Sequence, residues 1–234
     1  MPDSPIQAVF FDLDGTLLDH DATTRAGALG MFSRYRDRLT GSDEHLLQRW
    51  EDLTESHFDR YLRGETTLIG QRRGRVRGLF GLTPGELPDA EADQAYAVYS
   101  DHYDRNLTLF SDVVDTLEAL RGLRLGVITN GGSVHQRQKL EGVGVSDRFV
   151  AVVVSEDVGV AKPDPQIFRA ACQAMGAPPS ACVHVGDRLD VDAIGARDAG
   201  LKGVWLDRHD KGSEPAGVTR ITCLTELPAL ALES

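Results

Sequence analysis

Asp12 and Asp14 stand two residues apart in the segment Asp12-Leu13-Asp14-Gly15-Thr16, at the end of a short apolar run over residues 6–11. In extended backbone that spacing puts both side chains on one face. Asp187 follows a second apolar run, residues 182–186, with Asp190 and Asp192 close behind. Carboxylates sharing one crevice repel one another and raise each other's pKa unless a cation joins them. An all-oxygen donor set selects a hard ion. Magnesium suits it best, because it keeps positions open for water and phosphate oxygen. Two further segments carry complementary groups. Thr129-Asn130-Gly131-Gly132-Ser133 ends another apolar run and offers a hydroxyl and a turn of backbone N–H groups to an anion. The same residues also read as a plain strand-to-helix turn with Ser133 as its cap. Lys162, in an extended loop before Pro163, reads alone as a surface lysine; beside carboxylates and phosphate it is the expected counter-charge.

These segments meet only if the elements behind them are aligned. Residues 6–11, 123–129, 149–155, 182–186 and 203–206 are short, β-branched or aromatic runs that read as buried strands. Helical patterns lie between them. Ser111 is placed to cap a helix carrying Val113, Val114, Leu117 and Leu120 on one face. Asp164-Pro165 opens another, with Ile167, Phe168, Ala171 and Met175 inward and Gly176 at its end. A third covers about residues 190–199, with Gly200 as its stop. Strands alternating with helices predict an α/β fold, a Rossmann-like three-layer parallel sheet. Ligands of such sheets bind outside the carboxyl ends of the strands, where all four segments fall.

Residues 20–107 have a different pattern, with no strand signal and four amphipathic helices. Ala28, Leu29, Phe32 and Tyr35 mark the first; Leu46, Trp50, Leu53, His57 and Tyr61 the second. Val76, Leu79 and Phe80 mark the third, and Ala92, Ala95, Tyr96, Tyr99 and Tyr103 the fourth. An all-helical block between the first and second strands is an insertion. The expected organisation is an α/β core domain of residues 1–19 and 108–234 with an inserted helical cap domain of residues 20–107.

Composition narrows the classes. The 234 residues are 41% hydrophobic and 26% charged, ordinary for a globular chain. A formal charge of −11 argues against nucleic acid or an anionic membrane as partner. Residues 149–154 form the longest apolar run, far too short to span a bilayer, and the amino-terminal residues show no secretory pattern. Cys172, Cys182 and Cys223 lack a metal-type spacing and read as small hydrophobes in a reducing cytoplasm. His102, His135, His184 and His209 show no partnered spacing for zinc. Phosphate-loop, dinucleotide-loop and Gly-x-Ser-x-Gly motifs are absent.

Four segments together resemble a known pattern. FDLDGTLLD from Phe11, VITN from Val127, AKPDPQIF from Ala161, and VGD from Val185 followed by Asp192 resemble, in order, the four motifs of the haloacid dehalogenase-like superfamily. The resemblance spans nearly the whole chain and implies roles. Asp12 would be the nucleophile that forms an aspartyl-phosphate. Asp14 would protonate the leaving oxygen and then activate water, its main-chain carbonyl contributing to the Mg²⁺ site. Thr129 and the Asn130 amide would bind the phosphoryl group, and Lys162 would neutralise charge between nucleophile and phosphate. Asp187 would ligate Mg²⁺ beside Asp12, with Asp192 in support. Helical-cap members resembling this chain are phosphatases of small nucleotide, sugar or glycolate phosphates. The second aspartate, Asp14, argues against dehalogenase chemistry. A β-phosphoglucomutase-like transferase and a catalytically silent regulator are the alternatives. The expected partner is a small phosphorylated metabolite, with no nucleic acid, membrane or obligate protein partner. Arg72, Arg73, Arg75 and Arg77 cluster on the expected cap, either to meet a second anionic group or as a solvated helix face.

Overall fold

The computed structural model describes residues 5–210, 212 and 216–232. Residues 1–4, 211, 213–215 and 233–234 of the core span expected from sequence lie outside them. Among the described residues, six strands form one parallel sheet: β1 (Ala8–Phe11), β2 (Arg124–Thr129), β3 (Ala151–Val154), β4 (Cys182–Gly186), β5 (Lys202–Leu206) and β6 (Thr219–Ile221). Their order is β3-β2-β1-β4-β5-β6, so β1 is central and the order reverses beside it. Such a reversal opens a crevice at the strands' carboxyl ends. The chain divides into two compact units, Met1–Asp19 with Thr108–Ser234, and His20–Leu107.

In the sheet unit, burial on both faces explains the continuous apolar strands: every residue of β1 and β4 is buried. One face packs Ala8, Phe10 and Ile128 against Ile167, Phe168, Ala171 and Met175. The helical unit consists of α1 (His20–Arg34), α2 (Asp43–Leu62), α3 (Leu68–Phe80) and α4 (Asp89–Arg105). Its core joins Phe32, Leu46, Trp50, Val76, Leu79, Ala95, Tyr99 and Tyr103. Of the inward positions expected on α2, only Leu46 and Trp50 are buried; Leu53, His57 and Tyr61 are half-exposed. Ser42 and Thr67 cap α2 and α3 through their hydroxyls, each cap worth about 1 kcal/mol.

The sheet unit carries α5 (Val113–Ala119), α6 (Ser133–Gly142), α7 (Ser155–Val158), α8 (Pro165–Met175), α9 (Gly195–Asp198) and α10 (Leu227–Leu232). Helix α8 starts and stops where its sequence signals stand: Asp164 accepts from Gln166 N, and Gly176 closes it in the left-handed region. Three expectations are corrected. Asp112, not Ser111, is the cap residue of α5, and Val114 is exposed while Val113, Thr116 and Leu117 are the buried positions of this short helix. Gly132 rather than Ser133 flanks α6, since the Ser133 N–H and hydroxyl are taken by Glu156 and Asp157. The expected helix over 190–199 is a wide π-type turn, Leu189–Ile194, running into α9. No described helix is long and apolar enough to cross a membrane.

Candidate active site

Asp12, Thr129 and Asp187 stand where strands end, and Lys162 and Asp192 follow β3 and β4 on the segments beyond them. Asp12 is the first residue past β1 and its N–H donates to Val185 O of β4 at 2.9 Å. The chain then turns sharply, with Leu17 N and Leu18 N both donating to Leu13 O at 3.0 and 2.9 Å. Gly15 is required in that turn. Its φ is +88°, and a Cβ there would lie 2.6 Å from Asp187 Oδ2. Gly186 ends β4 for a similar reason: a Cβ would come within 2.3 Å of the Asp192 carboxyl carbon. The two glycines let carboxylates enter space that side chains would fill.

The centre of the site is buried charge. The Lys162 ammonium is 3% exposed. It lies 2.5 Å from Asp12 Oδ1, 2.6 Å from Asp192 Oδ1, and donates to Ile128 O at 2.8 Å. Those three contacts use all three of its protons. Asn130 braces this lysine, its amide donating to Lys162 O and its carbonyl accepting from Lys162 N. Behind Asp192 sits the wholly buried His184, with Nε2 at 3.3 Å from Asp192 Oδ1. A carboxylate only accepts, so Nε2 carries the proton. Burial pulls the His184 pKa down, so the ring stays neutral. Arg188 N donates to Asp192 Oδ2 at 3.1 Å, completing that carboxylate's partners.

The electrostatics are unbalanced towards negative charge. Burial pushes the Asp12 carboxyl well above the ordinary carboxylate range; Lys162 pulls it down, while Asp192 and Asp187 push it further up. Asp192 moves the other way. Burial works to raise it, yet Lys162 and the His184 hydrogen bond outweigh that and hold it low. Lys162 is desolvated, but its two carboxylates raise its pKa and keep it charged. Asp12, Asp187 and Asp192 each offer an oxygen, and those oxygens lie within 4.8 Å of one another. With all three carboxylates ionised, they exceed the one ammonium by two negative charges. That excess and the all-oxygen donors fit a hard divalent cation.

Of the carboxylates expected to converge, Asp12, Asp187 and Asp192 do. Asp14 does not join them, because the turn after Leu13 replaces the extended backbone that would have shared a face. Its carboxylate meets Lys139 Nζ of α6, 2.8 Å from each oxygen, and Gln136 Nε2 at 3.1 Å. Gln136 Nε2 also donates to Thr129 Oγ1 at 2.6 Å. Asp190 points away, with a side chain 75% exposed. Sequence reasoning missed Gln136, Lys139 and His184. A histidine inside an otherwise apolar strand was a usable signal; the glutamine and lysine gave none. The four arginines are engaged within the helical unit. Arg73 pairs with Asp89 and Asp93, and Arg77 with Asp89 and Leu87 O. Arg72 lies over the Tyr96 ring, and Arg75 is buried with its guanidinium 4.4 Å from the Trp50 ring centroid. Arg73 and Arg77 are thus paired with carboxylates, and Arg75 is buried rather than solvated.

Comparison with known proteins places this geometry. Residues 6–200 match the family model of haloacid dehalogenase-like hydrolases. The chain belongs to that family. Pyrimidine 5'-nucleotidase YjjG of Escherichia coli is 32% identical over 227 residues, covering 95% of each chain. Human N-acylneuraminate-9-phosphatase is 32% identical over 241 residues, covering 97% of this chain and 94% of that one. With such relatives this haloacid dehalogenase-like hydrolase is an enzyme of the phosphatase kind. Among solved structures, the HAD-hydrolase YfnB of Bacillus subtilis, described as bound to magnesium, superimposes with a TM-score of 0.81. It covers 97% of this chain and 99% of its own at 20% identity, which shows a shared fold.

Proposed function

We propose that this chain is a magnesium-dependent phosphatase that hydrolyses a small phosphate monoester through an aspartyl-phosphate on Asp12. One observation carries the reading: a buried aspartate at the end of the central strand, bonded by Lys162 at 2.5 Å and crowded by two further carboxylates. A buried structural aspartate would need only its lysine. Asp12 and Asp187, with the main-chain carbonyl of Asp14, would hold the cation, and Asp192 would support them. Bound there, magnesium would neutralise phosphoryl oxygens and leave Asp12 ionised.

The chain's own residues then divide the work. An Asp12 oxygen attacks phosphorus as the bond to the leaving oxygen breaks, and Asp14 supplies the proton that oxygen needs. Lys162 meets the negative charge that develops between nucleophile and phosphoryl group. Thr129 accepts a hydrogen bond from Gln136, so its own O–H is available to a phosphoryl oxygen. In the second half, water attacks phosphorus, Asp14 takes its proton, and the Asp12 carboxylate is restored. The helical unit would serve as the cap that excludes bulk water and reopens for product. The three free cysteines suit a cytoplasmic setting.

The test is a panel of p-nitrophenyl phosphate, pyrimidine nucleoside monophosphates, N-acylneuraminate 9-phosphate and other sugar phosphates, each with Mg²⁺. Release of inorganic phosphate that Asp12→Asn abolishes supports the reading. Isomerised phosphate esters without phosphate release would point to a mutase, and no turnover on any ester to a silent regulator.

A further inference from the structure

The Asp14 carboxylate is held from α6, an element the reaction as described so far uses only through the Gln136–Thr129 hydrogen bond. Lys139 Nζ lies 2.8 Å from both oxygens. The lysine side chain is 6% exposed and the aspartate 25%. A symmetric contact of that kind fixes the direction in which the carboxylate points. Gln136, one turn earlier on the same helix, adds a second anchor. Because a carboxylate only accepts, the amide nitrogen must face Asp14. The same nitrogen lies 2.6 Å from Thr129 Oγ1 and ties the Asp14 side chain to the end of β2. Burying a lysine costs free energy that a half-exposed aspartate repays only in part. That cost is hard to explain by stability and easy to explain by aim.

We propose that Lys139, with Gln136 beside it, is a positioning residue that holds Asp14 as the base of the second half-reaction. The inference rests on the reading of Asp14 given above. In that step the water oxygen bonds to phosphorus while the bond from phosphorus to the Asp12 oxygen breaks, its electron pair returning to Asp12. One water proton passes to Asp14, and inorganic phosphate leaves. The contacts from Lys139 and Gln136 hold this carboxylate in one orientation.

Rapid acid quench on the Mg²⁺-loaded enzyme with p-nitrophenyl phosphate separates formation of the phosphoenzyme from its decay. p-Nitrophenolate leaves without a proton, so formation reports little on Asp14. In Lys139→Met, decay should slow by about 10- to 100-fold, part of the range for complete loss of a general base, with formation little changed. Lys139→Arg should recover part of the decay rate. Thermal unfolding checks that the variants are folded, and Lys139→Gln replaces the methionine variant if that one is not. Equal slowing of formation and decay, or unchanged decay, overturns the inference. Asp14→Asn is the control. If its phosphoenzyme decays at the wild-type rate, the role of Asp14 itself has failed; if it decays slowly and Lys139→Met does not, only the role of Lys139 has.

Discussion

Replacing Lys162 by methionine keeps most of the side-chain volume and removes the ammonium between Asp12 and Asp192, both under 10% exposed. Breaking a buried pair by deleting one partner costs about 3–5 kcal/mol, and here one deletion strands two carboxylates. For a chain of this size each kcal/mol moves the unfolding midpoint by roughly 2–4 °C, so a fall of about 6–20 °C is expected. The pH dependence gives a sharper test. In the wild type, Lys162 holds Asp192 low, while burial and neighbouring carboxylates hold Asp12 high. Without the ammonium, burial and mutual repulsion push both carboxyls above their unfolded value of about 3.9. A raised folded pKa means the folded state binds more protons. The stability this contributes is complete below the unfolded pKa and lost as pH rises through the folded one. The deficit of Lys162→Met should therefore be larger at pH 8 than at pH 5, by up to about 1.4 kcal/mol per pH unit and proton. Urea unfolding in the presence of chelator, at both pH values, measures it. A deficit below about 1 kcal/mol, or one independent of pH, would refute the view that Lys162 neutralises this carboxylate pair.

Three other outcomes follow from the same geometry. EDTA should abolish turnover and Mg²⁺ restore it, with Ca²⁺ supporting little, since calcium's longer and more numerous bonds let Asp12 bind through both oxygens; full activity in chelator would sink the assignment. Asp14→Asn should slow phosphoenzyme formation more for an alkyl phosphate than for p-nitrophenyl phosphate, because only the alkoxide needs a proton, with a full effect of about 10²–10⁴-fold; equal slowing for both esters would remove Asp14 as the acid. Gly15→Ala should lose about 1–3 kcal/mol through its positive φ and displace Asp187, so calorimetry should show weaker Mg²⁺ binding; unchanged affinity would place Asp187 outside the metal set.

The sequence displayed the strands and the strand-end residues because both are local properties. Cys182–Gly186 is apolar apart from His184 because it is buried on both faces, and Asp164 and Gly176 mark the ends of α8 by their own side-chain and backbone preferences. The residues of β6 are only three and partly exposed, which leaves too little pattern to read. The π-type turn at Leu189–Ile194 carries Asp192 to a place beneath Gly186, a constraint visible only when the two are seen together. Lys139 was illegible for the same reason. A buried lysine and a solvated one look alike until the partner is known, and its partner is 125 residues away. Two arginines of α3, Arg73 and Arg77, misled through their neighbours: Asp89 and Asp93, on the next helix, absorb charges that looked free along the chain.

The central position of β1 has a consequence for how the protein comes into being. β1 lies near the amino terminus, yet its partners in the sheet are β2, more than 100 residues later, and β4, beginning at Cys182. The lysine that pairs with Asp12 follows it by 150 residues. At a synthesis rate of about 5–20 residues per second, the nucleophile strand leaves the ribosome roughly 8–30 s before its lysine is made. During that interval a strand of two aromatic and two aliphatic residues has no sheet to enter. The helical unit, one compact segment of continuous chain over residues 20–107, can form meanwhile. The newborn chain should therefore carry a folded helical segment beside an exposed, sticky strand, and depend on chaperones until the second half of the sheet arrives.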